Sequence, residues 1–398
     1  MQSPGDLSSG ALGPTIWGQR AALLSGLVAV TLVTATLLAD QSRMALLFGI
    51  GLLLGLALYH GAFGFTSAYR KLFLHFEVSG VQAQLVLVGL TTLLFAPLLA
   101  SGSAFGQGLG GAFAPFALQV AVGAFMFGIG MQLGGGCGSG TLFGVGGGSL
   151  RMVITLVAFI TGSFWASLHM GWWQSLPSMG TLSLGKLLGW PAAVALQLGV
   201  LIAIALLLRR WGKSTPPTFR ALYPDWRSLL RGPWPLLFTA LILALLGALT
   251  LIVAGHPWSI TWAFTLWGAK VAALLGWDPA TSGFWNGAFQ QTALNRSIFK
   301  DVTSVMNIGI VIGALCAAAL AQRFASGSTY RIPLASLLAA ILGGILMGYG
   351  ARIAFGCNIG AFLSGVGSTS LHGWLWILAA LPGNWLGTRL RPRFGLQN

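Results

Sequence analysis

GYGARIAFGCNIGAFLSGVGSTSL, residues 348–371, decides how this chain is read. An apolar run long enough to cross a bilayer leads into it. The run then breaks on glycines, and Cys357 sits on the break. A second stretch of the same make, GIGMQLGGGCGSGTLFGVGGGSL at 128–150, surrounds Cys137. A thiol on a glycine-rich break between apolar helices adds little to a core. It brings sulfur and backbone close to whatever passes through a membrane.

The rest of the chain fits that setting. Of 398 residues, 56% are hydrophobic and 7% charged, and the mean hydropathy is +0.82. Soluble domains carry about 25% charged residues, so this chain cannot solvate a globular surface. The expected class is an all-α polytopic membrane protein. Its 58 glycines suit close helix contacts and broken helices, and its 16 tryptophans suit interfacial belts. The formal net charge of +15 reads as positive-inside bias and contact with anionic lipid. No soluble basic domain is present to hold nucleic acid. The acids are few: Asp6, Asp40, Glu77, Asp225, Asp278 and Asp301. Cation transporters usually place carboxylates inside the membrane, so metal-cation transport is disfavoured. His60, His75, His169, His256 and His372 show no paired metal-ligand spacing, and no cofactor is expected. Three cysteines are too few for a disulfide framework. Residues 1–20 lack a basic segment before an apolar one, so the first span, about 21–38, reads as a retained anchor.

Spans are expected near 21–39, 44–60, 82–100, 112–133, 150–170, 188–208, 235–254, 258–276, 303–322, 333–354 and 371–388. Segments 61–75, 134–149, 279–299 and 355–369 are too polar or too glycine-rich for ordinary spans and read as short, re-entrant or broken helices. The stretch 209–233, with Arg209, Arg210, Lys213, Arg220, Arg227 and Arg231 and four prolines, reads as a cytoplasmic linker. It separates a first transmembrane half, 1–208, from a second, 234–398. Six spans before the linker place the N-terminus inside, together with Arg70, Lys71 and Arg151. The side of the C-terminus depends on whether 279–299 crosses.

The halves resemble each other. GAFGFTSAYRKLFLH (61–75) aligns with GAFQQTALNRSIFKD (287–301), matching at Gly61/Gly287, Thr66/Thr292 and Arg70/Arg296 among others. The cysteine segments follow in the same order, sharing Gly136/Gly356, Cys137/Cys357 and Gly140/Gly360. Two pseudo-symmetric repeats with broken helices meeting near the bilayer midplane are a recurrent transporter plan.

Cys137 and Cys357 are therefore the first candidates for a pathway role. Gly136, Gly138 and Gly356 beside them offer neutral backbone N–H donors to an anion. Arg70, Arg296 and Arg352 are the basic residues nearest the breaks, suited to attracting an anion or to pairing with Glu77 or Asp301. Asn358 and Ser139 are possible hydrogen-bond donors. Cys316 lies on an unbroken small-residue helix without a repeat mate and reads as packing.

Three motifs, GYGARIAFGCNIGAFLSGVGSTSLHGW (348–374), GGGCGSG (134–140) and GFTSAYRKLF (64–73), resemble the YeeE/YedE family of membrane proteins. The resemblance implies uptake of a small sulfur-containing anion, thiosulfate above all, with a branch for selenium compounds. It implies an hourglass with a narrow waist lined by thiols, Cys137 and Cys357 taking two of the positions. Many members carry a further cysteine in the FTSA segment, where this chain has Gly64. It also implies a bacterial inner-membrane location and a soluble TusA-like sulfur carrier as partner. A different reading is a membrane persulfide or redox relay through Cys137 and Cys357. No His or Lys lies within four residues of either to act as a base, and an enzyme is not expected.

Overall fold

In a computed structural model, residues 16–40, 42–213, 224–325 and 332–398 are described. Asp6, Arg220 and the middle of the linker lie outside them. The chain is almost wholly helical, and its elements follow in order: Ile16–Asp40 (α1), Ser42–His60 (α2), Phe65–His75 (α3), Ser79–Ser101 (α4), Leu118–Gly134 (α5), Gly138–Gly146 (α6), Leu150–Leu168 (α7), Met170–Gln174 (α8), Leu184–Leu188 (α9) and Trp190–Trp211 (α10). Then come Trp226–Arg231 (α11), Leu236–Ala254 (α12), Thr261–Leu274 (α13), Ala288–Asn295 (α14), Val302–Leu320 (α15), Leu334–Ile353 (α16), a π-helix at Asn358–Leu363, Ser364–Gly367 (α17) and Leu371–Leu390 (α18). A two-stranded ribbon, Ser103–Ala104 with Gln107–Gly108, interrupts the loop after α4. Among the described residues, nine helical stretches are long and apolar enough to cross a membrane. This is the all-α polytopic architecture the composition requires.

Glycine sets how close the central helices come. A Cβ on Gly130 of α5 would meet Gly343 O at 2.7 Å, and one on Gly123 would meet Gly350 O at 2.6 Å. Rising numbers on α5 thus meet falling numbers on α16, and the two helices run antiparallel with their backbones in contact. The breaks that follow them consequently enter from opposite ends of the bundle. Helices of the two chain halves interleave: α2 packs on α15, α7 on α16, and α5 on both α16 and α18.

The two ends differ in charge. Lys213 N donates to Phe76 O (2.7 Å), Trp234 N to His60 O (2.8 Å), Ala325 N to Gly147 O (3.1 Å) and Gln19 Nε2 to Phe324 O (2.8 Å). These bonds gather the start of α1, the α3 region, the linker and the start of α7 at one end, with Arg70, Lys71, Arg151, Arg209 and Arg210. Asp225 begins α11 there; its carboxylate accepts from Ser228 N (3.1 Å) and Oγ, which holds the carboxyl below its usual range. At the other end, Gly110 N donates to Gly255 O (2.8 Å) and Leu184 N to Thr369 O (2.8 Å).

One expected feature is corrected, and one that the sequence left open takes a definite form. The span expected at 258–276 is α13, a 14-residue helix. At 1.5 Å per residue it reaches about 21 Å, short of the roughly 30 Å hydrocarbon core. It is a half-span that starts inside the bundle, and Phe264 packs on Phe159 of α7 at 4.8 Å between ring centroids. The segment 279–299 does not cross. It forms short turns and the eight-residue α14, with no buried residue in that helix. Its aligned counterpart instead makes the eleven-residue α3, with Phe65, Thr66, Ala68 and Tyr69 buried. The C-terminus follows: Arg391 Nη1 donates to Gln132 O at 2.7 Å, which puts Arg389, Arg391 and Arg393 at the basic end.

Candidate functional site

Each cysteine is reached by the same local path. Helix α5 ends at Gly134, Gly135 turns left-handed (φ 89), and Cys137 is extended (φ −85, ψ −165) as the residue capping α6. Helix α16 ends at Ile353, Phe355 (φ 59) and Gly356 (φ 153) turn the chain, and Cys357 is extended (φ −104, ψ −165) before the π-helix. Neither thiol closes a capping bond to its helix. The first amides of both helices are thereby left without intrahelical partners. Gly136 and Gly356 are required by packing, because a Cβ on either would press on the helix just begun, at 3.0 Å from Gly140 C and 2.7 Å from Ala361 N respectively. That role differs from the anion contact expected of them.

The breaks meet. A Cβ on Gly138 would lie 3.0 Å from Cys357 Sγ and 3.5 Å from Ile260, the residue that precedes α13. Glycine at 138 is what admits the second sulfur. Both thiols are buried, at 1% and 0% exposure, and neither is in a disulfide. Cys137 Sγ lies 3.4 Å from Ser139 Oγ. Tyr69 of α3, 3% exposed, faces Cys137 and Asn358. Asn358 is fully buried, and neither of its side-chain atoms has a hydrogen-bond partner.

Two cavities flank this junction. One, of about 340 Å³, is lined by Cys137, Gly136, Gly64, Thr66, Ser67 and Arg70. The other, of about 470 Å³, is lined by Arg352, Phe355, His256, Ser259, Asp301 and Thr303. Cys357 lines neither; it stands behind the wall where Ser259 Oγ would lie 3.2 Å from a Cβ on Gly360. Arg352 does not pair with an acid. Its guanidinium lies over Phe284 at 5.1 Å, and its buried Nε has no partner. Glu77 pairs with Lys71 at 3.1 Å. Asp301 caps α15, accepting from Ser304 N (2.7 Å) and Trp262 Nε1 (3.1 Å). Arg352 is thus a cation open to an anion entering the second cavity. Arg70 lines the first. Arg296 reaches neither: it is exposed, and its carbonyl accepts from Lys270 Nζ.

The first break is clamped from the basic end. Arg151 donates from Nη1 to Gly134 O and from Nη2 to Leu133 O, each at 2.6 Å. Arg391 donates to the carbonyl before them. The last carbonyls of α5, orphaned by the break, are satisfied in this way. Tyr69, Arg151, Ser259 and His256 are absent from the site residues expected from the sequence. Tyr69 carried a signal there, as a polar ring next to Arg70 in a short segment set between apolar runs.

The model of the family described as sulphur transport matches residues 60–386. The thiosulfate transporter TsuA of Spirochaeta thermophila is 29% identical over 353 residues, 84% of this chain and 95% of that protein. TsuA of Escherichia coli is 25% identical over 360 residues, 85% of this chain and 92% of that one. The Escherichia coli protein named "Probable transporter YedE" is 34% identical over 139 residues, covering 34% of this chain and a third of that protein.

Proposed function

This chain belongs to the sulphur transport family, and on that premise we propose that it passes a small sulfur-containing anion, thiosulfate before others, across the bacterial inner membrane. The observation that carries this reading is the pair of buried thiols at the junction of two breaks, between cavities that bear Arg352 on one side and Arg70 on the other. The basic end is read as cytoplasmic, with the start of α1. Arg352 then draws the anion in from outside, and Arg70 receives it within.

At the junction, protonated Cys357 and Cys137 offer weak S–H donors to the soft terminal sulfur of thiosulfate. A thiolate would repel a dianion, so the neutral thiol is the useful form. The free amides at the starts of α6 and the π-helix add neutral donors that do not hold the ion too tightly to leave. Sulfate has only hard, well-hydrated oxygens. Weak donors do not repay its dehydration, so thiosulfate is favoured. Gly64, on the wall of the Cys137 cavity, leaves a two-thiol path. A soluble TusA-like sulfur carrier at the basic end is the fitting acceptor of the product.

The test is uptake of radiolabelled thiosulfate into proteoliposomes by wild type, Cys137→Ala and Cys357→Ala, with excess unlabelled sulfate or selenite. Uptake that needs both thiols and ignores sulfate is expected. Full uptake by both variants would sink the relay. Effective competition by selenite would move the substrate to the selenium class, and a persulfide on Cys137 or Cys357 seen by mass spectrometry would favour covalent sulfur transfer.

A further inference from the structure

Among the described residues, Asn358 alone has both carboxamide atoms buried without a partner. Three other buried amides in the bundle are tied through their nitrogens. Gln132 Nε2 donates to Thr66 O (3.0 Å) and Asn384 Oδ1 (2.9 Å), Gln197 Nε2 to Val366 O (3.1 Å), and Asn307 Nδ2 to Ile260 O (2.9 Å). A carboxamide can give two hydrogen bonds and accept two, and leaving them unmade in a buried site costs folding free energy. The place is also particular. Asn358 directly follows Cys357, and the matching residue of the first break is Gly138, against which the Cys357 sulfur rests. The Tyr69 hydroxyl stands beside the amide from α3.

We propose that the Asn358 amide, flanked by Tyr69, reads the oxygen end of the carried anion, so that the site takes sulfur oxyanions such as thiosulfate and sulfite and passes over oxygen-free hydrosulfide. This rests on the transport reading above. The thiols recognise soft sulfur and cannot by themselves tell thiosulfate from hydrosulfide. Asn358 Nδ2 supplies N–H donors to S–O oxygens, and a bond to an ionised acceptor is stronger than one between neutral groups. Hydrosulfide has no oxygen to take those N–H groups and must leave them unpaired. A site built to bond an oxygen rejects the analogue that lacks it more strongly than an apolar site rejects an added group.

The experiment uses the full-length protein, in detergent for thermal unfolding and in liposomes for uptake, with the near-isosteric Asn358→Leu. The melting temperature of the variant is expected to rise by a few degrees as the unpaired amide is removed. Its thiosulfate uptake is expected to fall about tenfold or more, the effect of one bond to a charged group. In wild type, unlabelled sulfite should compete and hydrosulfide should not. Unchanged uptake by Asn358→Leu, a fall in its melting temperature with uptake retained, or equal competition by hydrosulfide would each overturn the assignment. Should wild type carry no sulfur anion, the transport reading fails by itself, and binding decides this one. A sulfite-induced rise in melting temperature seen in wild type and lost in Asn358→Leu upholds it; the same rise in both, or in neither, overturns it. If Asn358→Leu does not fold, Tyr69→Phe, which removes one oxygen, decides by a few-fold weakening of sulfite competition or its absence.

Discussion

The two breaks around Cys137 and Cys357 follow one backbone path with different side chains. Where the first has Gly135, the second has Phe355; where the first has Gly138, the second has Asn358. The first is bare and stiff. Its αL turn falls on glycine, Arg151 and Arg391 hold the carbonyls before it, and α6 begins with an ordinary bond, Thr141 N to Cys137 O at 2.8 Å. The second is furnished and strained. Phe355 accepts a left-handed conformation that costs a non-glycine residue about 1 kcal/mol or more. Its helix starts with the matching bond, Ala361 N to Cys357 O at 2.9 Å, shared with Phe362 N at 3.4 Å, and runs on as a π-helix, a form concentrated at functional sites. The path is thus shared while the side chains are not: the Cys357 side carries Phe355 and Asn358 where the Cys137 side carries glycines.

If both thiols are needed, this asymmetry stops at the sulfurs. The largest effect is therefore expected from Cys137→Ala and Cys357→Ala alike, each lowering thiosulfate uptake about 100-fold with unfolding midpoints near wild type. A large loss from one alone would turn the comparison into a single working site with a passive mate. Next comes Gly138→Ala. Its Cβ would sit 3.0 Å from Cys357 Sγ, and uptake is expected to fall about tenfold as the sulfur is pushed aside, roughly the effect of losing one hydrogen bond. Initial rates in liposomes would check it, and an unchanged rate would mean that the sulfurs need not be adjacent.

Smaller effects separate stiffness from choice. Gly135→Ala places a Cβ at φ 89 and 2.7 Å from Arg151 Nη1. It is expected to cost about 1–2 kcal/mol, read from a lower denaturant midpoint of the purified protein. Phe355→Ala keeps a side chain in a turn already left-handed and is expected to show mainly as sulfate leak, measured by competition. The smallest change is expected from Gly64→Cys. A Cβ there meets only the movable Ser67 hydroxyl closely, at 2.8 Å, and a third thiol on the Cys137 cavity should raise uptake a few-fold. A decline would mean that the bare side is bare for a reason.

Much of this was legible in the sequence, because bilayer-length apolar runs and glycine-flanked cysteines are local signals. The α5 and α16 spans and both breaks fall where the pattern puts them. The failures share a cause. Hydropathy over 258–276 is that of a span, but where a helix begins in depth is set by packing, and α13 begins just after Ile260, beside Gly138. Arg296 was chosen through an alignment of 61–75 with 287–301, and identity at six positions did not fix burial: one segment folded inward and the other lies at the surface. Tyr69 and Ser259 enter the site through contacts between distant segments, which no spacing within one stretch reveals. Arg151 reads in sequence as an inside charge at the start of a span, and only the fold turns it onto the carbonyls of α5.

The clamp on α5 also reaches further down the chain. Arg391, which holds the Gln132 carbonyl, is itself gripped by the last residues, donating from Nε to Asn398 Oδ1 at 3.0 Å and from Nη2 to the Gln397 carbonyl. A purification handle or fluorescent fusion appended after Asn398 would therefore pull on the same knot that steadies the Cys137 turn. Material prepared with such a handle can look folded and yet report a sluggish protein. Placing the handle ahead of α1 leaves that knot untouched.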